Sequence, residues 1–134
     1  MATRVFIQLP VSDLGRATAF LGALGFATDP GWTDAASRCM IAGTNIYVVL
    51  MLRGRFATFT PCPVADARSA TEVLVCLDCA HRDEVDRLAG RALAAGGRAI
   101  RPPEDHGFMY GRAFQDPDGH IWELVWLSRP GVPA

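Results

Sequence analysis

The chain contains no lysine, since all 13 of its basic residues are arginine. Schiff-base formation and nucleophilic catalysis by a lysine amine are therefore excluded. A charge excess is also lacking: 14 acidic residues stand against those 13, the formal net charge is −1, and the arginines are scattered with no run or stripe to neutralise a phosphate backbone. No nucleic-acid partner is expected. No apolar run reaches the roughly 18 residues that span a bilayer, and Met1 to Pro10 lacks the charged, apolar and small-residue succession of a secretory leader. No membrane partner is expected, and the expected location is the cytoplasm. Cysteine is sparse, at four residues. Of Cys39, Cys62, Cys76 and Cys79, only the last two have a ligand-like spacing, and no further pair completes a zinc site. On a strand they would point to opposite faces, so the thiols are expected to be small buried groups in a reducing compartment. G-x-S-x-G, H-E-x-x-H and phosphate-cradling glycine motifs are missing too.

What is present is a chain of 134 residues, half of them hydrophobic, enough for one domain over residues 1–134 and too short for two ordinary ones. RVFIQLP at Arg4 to Pro10 reads as a strand. Ser12-Asp13 then caps a helix with Leu14, Ala17, Phe20, Leu21 and Leu24 at helical spacing, stopped by Gly25. A short extended piece near Phe26-Ala27, a strand around Arg38 to Ala42, a turn at Gly43-Thr44-Asn45 and a strand over Ile46 to Leu52 follow. Residues 53–69, with Gly54, Pro61 and Pro63, read as a long connection. The order then repeats about 70 residues on: a strand at Thr71 to Leu77, then a helix from about Asp83 to Ala95 with Val85, Leu88, Ala92 and Leu93 on one face. A short extended piece at Arg98 to Arg101 and a hairpin of Tyr110 to Gln115 with His120 to Leu127 complete it. The expected fold is α+β: two βαβββ modules, at about 4–52 and 70–128, joined by the linker 53–69, each sheet covered on one face by its helix.

Within the closing hairpin, one carboxylate stands among apolar neighbours: Glu123 in Ile121-Trp122-Glu123-Leu124-Val125. Pro117 fixes φ near −65°, which rules out a type I′ loop at Asp116-Pro117-Asp118-Gly119 and leaves a type I turn with Gly119 as a left-handed bulge. Asp116 then pairs with His120, Ala113 stands opposite Glu123, and Gly111 opposite Val125. One face carries Phe114, His120, Trp122, Leu124 and Trp126. The other carries Glu123 with the smallest cross-strand neighbours available, and so has a hollow. A carboxylate buried there without a partner costs several kcal/mol; it needs an arginine, a cation, water or a ligand.

LPVSDLGRATAFLGALGF at Leu9 to Phe26 and FQDPDGHIWEL at Phe114 to Leu124, with the doubled module, resemble the vicinal-oxygen-chelate superfamily: glyoxalase I, fosfomycin- and bleomycin-resistance proteins and extradiol dioxygenases. The resemblance implies paired modules in an open eight-stranded cup with helices outside, homodimers, and in many members a divalent metal held by His, Gln or Glu on four cup strands. Glu123 matches the last of those positions. The others are apolar here: Phe6 in the first strand, Val49 or Met51 in the fourth, and Leu74 in the strand opening the second module. One carboxylate would hold a hard cation weakly, so the expectation is no cofactor, with a divalent metal at Glu123 as the alternative.

The resulting expectation is a small-molecule-binding protein with Glu123 as the central polar group. Gln8, Glu72 and His106 are candidate polar contacts, and Phe6, Met109 and Tyr110 line the cup or its rim. As an enzyme it would resemble glyoxalase-type lyases or isomerases acting on a small carbonyl compound, with Glu123 removing or returning a proton. As a binding module it would resemble bleomycin-resistance proteins, sequestering a ligand without metal. A dimerising structural domain with a filled cup would have no hollow at all. His81, at the start of the second helix, and His120, on the helix-facing side, read as structural.

Overall fold

Asp13 begins the first helix as the sequence predicts: its backbone is extended, and its carboxylate accepts the Arg16 N–H at 3.0 Å. A computed structural model describes residues 1–128 of the chain; residues 129–134, the end of the expected domain, lie outside the described residues. The fold divides into two compact units, the first from Met1 to Asp66 and the second from Ala67 onward.

In the first unit, strand β1 (Val5–Val11) leads into helix α1 (Leu14–Ala23), which buries Leu14, Ala17, Phe20 and Leu21 and turns out through Gly25 at φ +92°. Strands β2 (Ala27–Asp34), β3 (Ser37–Gly43) and β4 (Ile46–Leu52) follow. They form an open sheet in the order β1-β4-β3-β2, with β1 parallel to β4 and the other pairs antiparallel. Alternation sorts its faces: Leu9, Val11, Met40, Val48 and Leu50 are buried on the side where α1 packs. Each such side chain contributes roughly 1.5–3 kcal/mol by leaving water. Phe6, Gln8 and Tyr47 occupy the opposite face.

Two features of this half of the chain differ from the sequence reading. Strand β2 runs on to Asp34 rather than ending near Ala27, although its ladder is broken: Ala27 to Asp29 pair with Ile41 to Cys39, and pairing resumes only at Asp34 with Ser37. Pro30 lacks an N–H and is tolerated because β2 is an edge strand. The connection also holds a short helix, α2 (Arg53–Ala57), which buries no residue. It is therefore invisible to hydrophobic periodicity. The Arg53 guanidinium ties down the loop beyond it by donating to the carbonyls of Val64 and Ala65 at 3.0 and 3.1 Å.

The second unit has strand β5 (Leu74–Asp78), helix α3 (Arg82–Ala94), the two-residue strands β6 (Arg98–Ala99) and β7 (Glu104–Asp105), and the hairpin β8 (Met109–Gln115) and β9 (Ile121–Leu127). Its open sheet has the order β5-β9-β8-β6, with β7 also paired to β8. The expected four strands become five because the edge strand is split, as β2 is, by prolines: Pro102 and Pro103 lie between β6 and β7. Helix α3 buries Val85, Ala89 and Ala92 rather than the predicted Leu88 and Leu93, the latter 37% exposed. Small residues let the helix lie close on the bulky side of β8 and β9, where Phe114, Trp122, Leu124 and Trp126 are buried.

The hairpin has the register predicted from Pro117 and Gly119. The Asp116 N–H donates to the His120 carbonyl at 2.9 Å, Gly119 has φ +94°, and Ala113 pairs with Glu123 and Gly111 with Val125.

Candidate functional site

Glu123 projects from the face of the second sheet opposite α3, between Ala113 on β8 and Cys76 on β5. Its side chain is 23% exposed. The small side chains beside it leave a cavity of about 180 Å³, walled by Cys76, Met109, Gly111 and Val125. Gly111 is held to its size, because a Cβ there would stand 3.3 Å from the Leu124 carbonyl oxygen.

The cavity also contains an ion cluster: an arginine partner for Glu123 is one of the options the sequence leaves open, but the arginine is Arg101, which the sequence does not single out. Arg101 donates through one terminal nitrogen to Oε2 of Glu123 and through Nε to Oε1 of Glu104 at 3.1 Å. Its guanidinium pKa is raised, first by the hydrogen bond to Glu123. Oε1 of Glu123 accepts no hydrogen bond from any described residue. The backbone explains how Arg101 reaches this far. Ala99 pairs with Phe114 and Glu104 with Gly111, so residues 100–103 lie against only Arg112 and Ala113. Four residues opposite two must bulge, and Pro102 and Pro103 have no N–H with which to pair. Arg101 is carried out on this bulge beside Ala113, whose methyl group leaves the way to Glu123 clear. The available signals were the proline pair and the i,i+3 spacing of Arg101 and Glu104; neither identifies Glu123 as the second partner.

The Cys76 thiol shares this face. Burial pushes its pKa up, the charges of Glu123 and Asp78 push it further, and Arg101 acts in the opposite sense. Cys76 and Cys62 are exposed and only Cys39 and Cys79 are buried, which corrects the expectation of four buried thiols. Cys76 follows the open face of its strand, and Cys62 lies in the connection after α2.

Of the predicted site residues, Met109 and Glu123 share this cavity. His106 is close to it: its Nε2 lies 3.6 Å from Glu104 Oε2, in a loop turned by Gly107 at φ +78° and closed by the His106 N–H on the Met109 carbonyl at 2.8 Å. Tyr110 is on the other side of the sheet, with α3. Its hydroxyl donates to Asp86 at 2.5 Å and its ring lies under the Arg82 guanidinium, 4.6 Å away. Glu72 is exposed and precedes β5. Phe6 and Gln8 are exposed on the first unit's sheet, where Phe6 stacks on Tyr47 at 4.9 Å and meets Trp32 edge-on at 6.1 Å.

The donor set does not fit a resident divalent metal. Phe6, Leu74, Val49 and Met51 offer no oxygen or nitrogen side-chain ligand, and Glu123, the one carboxylate in place, is already bound to a guanidinium. Among the described residues no three His, Cys, Asp or Glu side chains converge as ligands.

A family model for the Glyoxalase/Bleomycin resistance protein/Dioxygenase superfamily matches residues 3–124. Solved structures are similar over nearly the whole chain. A hypothetical protein from S. aureus has 25% identity and a TM-score of 0.80, with 94% of each chain covered. A glyoxalase-related enzyme from Fulvimarina pelagi has 23% identity and a TM-score of 0.79, covering 98% of this chain and 92% of that one. A genomically encoded fosfomycin resistance protein from Listeria monocytogenes has 20% identity and a TM-score of 0.70, with 97% of each chain covered. No curated protein matches the chain in sequence.

Proposed function

The chain belongs to the Glyoxalase/Bleomycin resistance protein/Dioxygenase superfamily, and from that membership we propose that it binds a small organic molecule on the open face of its second sheet, without a divalent metal. One observation carries this reading: Glu123 lines a cavity of about 180 Å³ with one carboxylate oxygen held by Arg101 and the other accepting a hydrogen bond from no described residue. Apolar walls supply the contact area, and a few fixed polar groups set orientation, as is usual for such sites. Glu123, which matches one metal-ligand position of the family resemblance, is bound here to an arginine, so sequestration of a ligand is favoured over metal-assisted chemistry.

The test is a thermal-shift screen of small carbonyl compounds, aromatics and glycopeptides, coupled to alkylation of Cys76 in a Cys62→Ser background. A ligand at this site raises Tm through binding linkage and slows Cys76 labelling. If no compound does either, the reading fails.

A second reading rests on the same Oε1 of Glu123, which accepts from no described residue and would accept a proton from a carbon next to a carbonyl in a lyase or isomerase. It predicts turnover of a small carbonyl compound that Glu123→Gln abolishes while the ligand still binds. We also propose that the protein works as a homodimer in the cytoplasm, in keeping with the family resemblance; a single-chain mass in sedimentation equilibrium would rule out the dimer. No helix among the described residues is long and apolar enough to cross a membrane.

A further inference from the structure

Glu123 already has a cation, supplied by its own chain: Arg101. Building on the reading of the open face as a small-molecule site, we propose that the site selects organic cations with an apolar body. Arg101 is then an internal competitor for Glu123 that such a cation replaces.

Charge supports this first. Arg101 is shared between Glu104 and Glu123, so two carboxylates face one guanidinium and one negative charge is left uncompensated. The other arginine at the cavity, Arg112, is committed to Asp86 on α3 at 3.2 Å. Cys76 and Asp78 on β5 bring no positive charge, and His106 in the loop before β8, with its Nε2 3.6 Å from Glu104 Oε2, is a cation only when protonated. The pKa of Cys76 reports the same field, being raised by Glu123 and Asp78 against the opposing effect of Arg101. An anionic ligand would meet two carboxylates here; a cation relieves their repulsion.

Arg101 is also built to let go. Its Nε bond to Glu104 remains when it leaves Glu123, so the displaced guanidinium keeps a partner. It sits on the bulge at residues 100–103, outside the strand ladder. The pair it gives up stays partly in water, with side chains 38% and 23% exposed, and such pairs are weak. The cavity beside it, at about 180 Å³, is of the size that takes one aromatic ring.

The test compares benzylammonium, benzyl alcohol and benzoate by calorimetric titration and by protection of Cys76 from alkylation. The wild type is expected to bind benzylammonium about tenfold more tightly than either analogue, the effect of one well-placed charge. Glu123→Gln should bring the three within about twofold of one another, and Arg101→Gln should tighten benzylammonium by roughly threefold, because the competitor is gone. Arg101 lies outside the ladder, so its variant keeps the test available if Glu123→Gln misfolds. Benzoate binding as well as benzylammonium overturns the proposal, as does weaker benzylammonium binding by Arg101→Gln. If benzyl alcohol protects Cys76 as well as benzylammonium does, cation selectivity falls and the small-molecule reading stands. If none of the three binds, selectivity for cations falls, and the broader screen decides the small-molecule reading separately.

Discussion

Asp116 holds the Trp122 indole from the hairpin turn: its Oδ2 accepts the Nε1–H at 3.0 Å, while its Oδ1 accepts the N–H groups of Asp118 and His120, also at 3.0 Å. One carboxylate thus closes the turn and satisfies the donor of a ring that is 1% exposed. Asp116→Ala strands that donor in the core and removes the turn's acceptor. The expected loss is on the order of 3 kcal/mol, from orphaned buried donors at about 1–3 kcal/mol each, measured by urea denaturation.

The same residue gives a pH signature. Burial raises the Asp116 pKa, and its hydrogen bonds and His120 only partly offset this. A raised folded-state pKa means that the group's contribution is fully present below its unfolded value, near 3.8, and is lost as pH rises through the folded value. The stability advantage of wild type over Asp116→Asn should therefore widen as pH falls from 7 towards 4. A gap that narrows on acidification would contradict the assignment.

Gly119 is needed for both conformation and space. At φ +94°, a Cβ would stand 2.7 Å from the Arg68 backbone nitrogen and 2.8 Å from the Ala67 carbonyl carbon. Gly119→Ala is expected to cost about 3 kcal/mol, combining left-handed strain with a backbone clash. Gly25→Ala, also at positive φ but with nothing within 4 Å, should cost only about 1 kcal/mol from strain. Thermal melts of the two variants compare them directly.

The contrast between Gly119 and Arg101 shows what the sequence could reveal. Pro117 and Gly119 admit one loop geometry, and that loop alone sets which residue faces Glu123. Asp13 marks the start of α1 by a local bond in the same way. Arg101 meets Glu123 only because four residues bulge opposite two on β8, a count fixed by where β6 and β7 pair and not by any local pattern. The neighbour on the other side, Cys76, depends on the parallel register of β5 with β9, two strands separated in sequence by α3, β6, β7 and β8. Helix α2 buries nothing and so leaves no periodic trace. On α3 the buried stripe follows the small residue Ala89 rather than the larger leucines, because close approach to two tryptophans decided the contact.

The thiols should separate by environment. Cys79 is buried and its pKa is pushed up to about 11, mainly by burial and then by Glu84; at pH 8 only about one part in a thousand is thiolate. Cys39 is fully buried and raised as well. A disulfide reagent at pH 8 is expected to modify Cys62 first, Cys76 more slowly, and Cys39 and Cys79 only on unfolding. Glu123→Gln removes a charge that raises the Cys76 pKa, so Cys76 should label faster in that variant. Unchanged labelling would mean that the carboxylate does not govern the field on this face.

On the opposite side of the sheet, Arg82 ties the start of α3 to the hairpin. Its guanidinium pairs with Asp105 and lies 4.6 Å from the Tyr110 ring centre and 5.3 Å from that of Trp126. Planarity lets it stack and pair at once, which an ammonium cannot do. Arg82→Lys is expected to lower Tm despite keeping its charge, because the stacking goes. The Arg82 hydrogen bond holds the Asp105 pKa below 3.8. A lowered folded-state value means that this contribution is present above the unfolded pKa and lost as pH falls through the folded one. Acid titration should therefore bring wild type and Arg82→Met closer together below pH 4. A difference between them that persists undiminished at pH 2 would assign Arg82's contribution to its ring contacts alone.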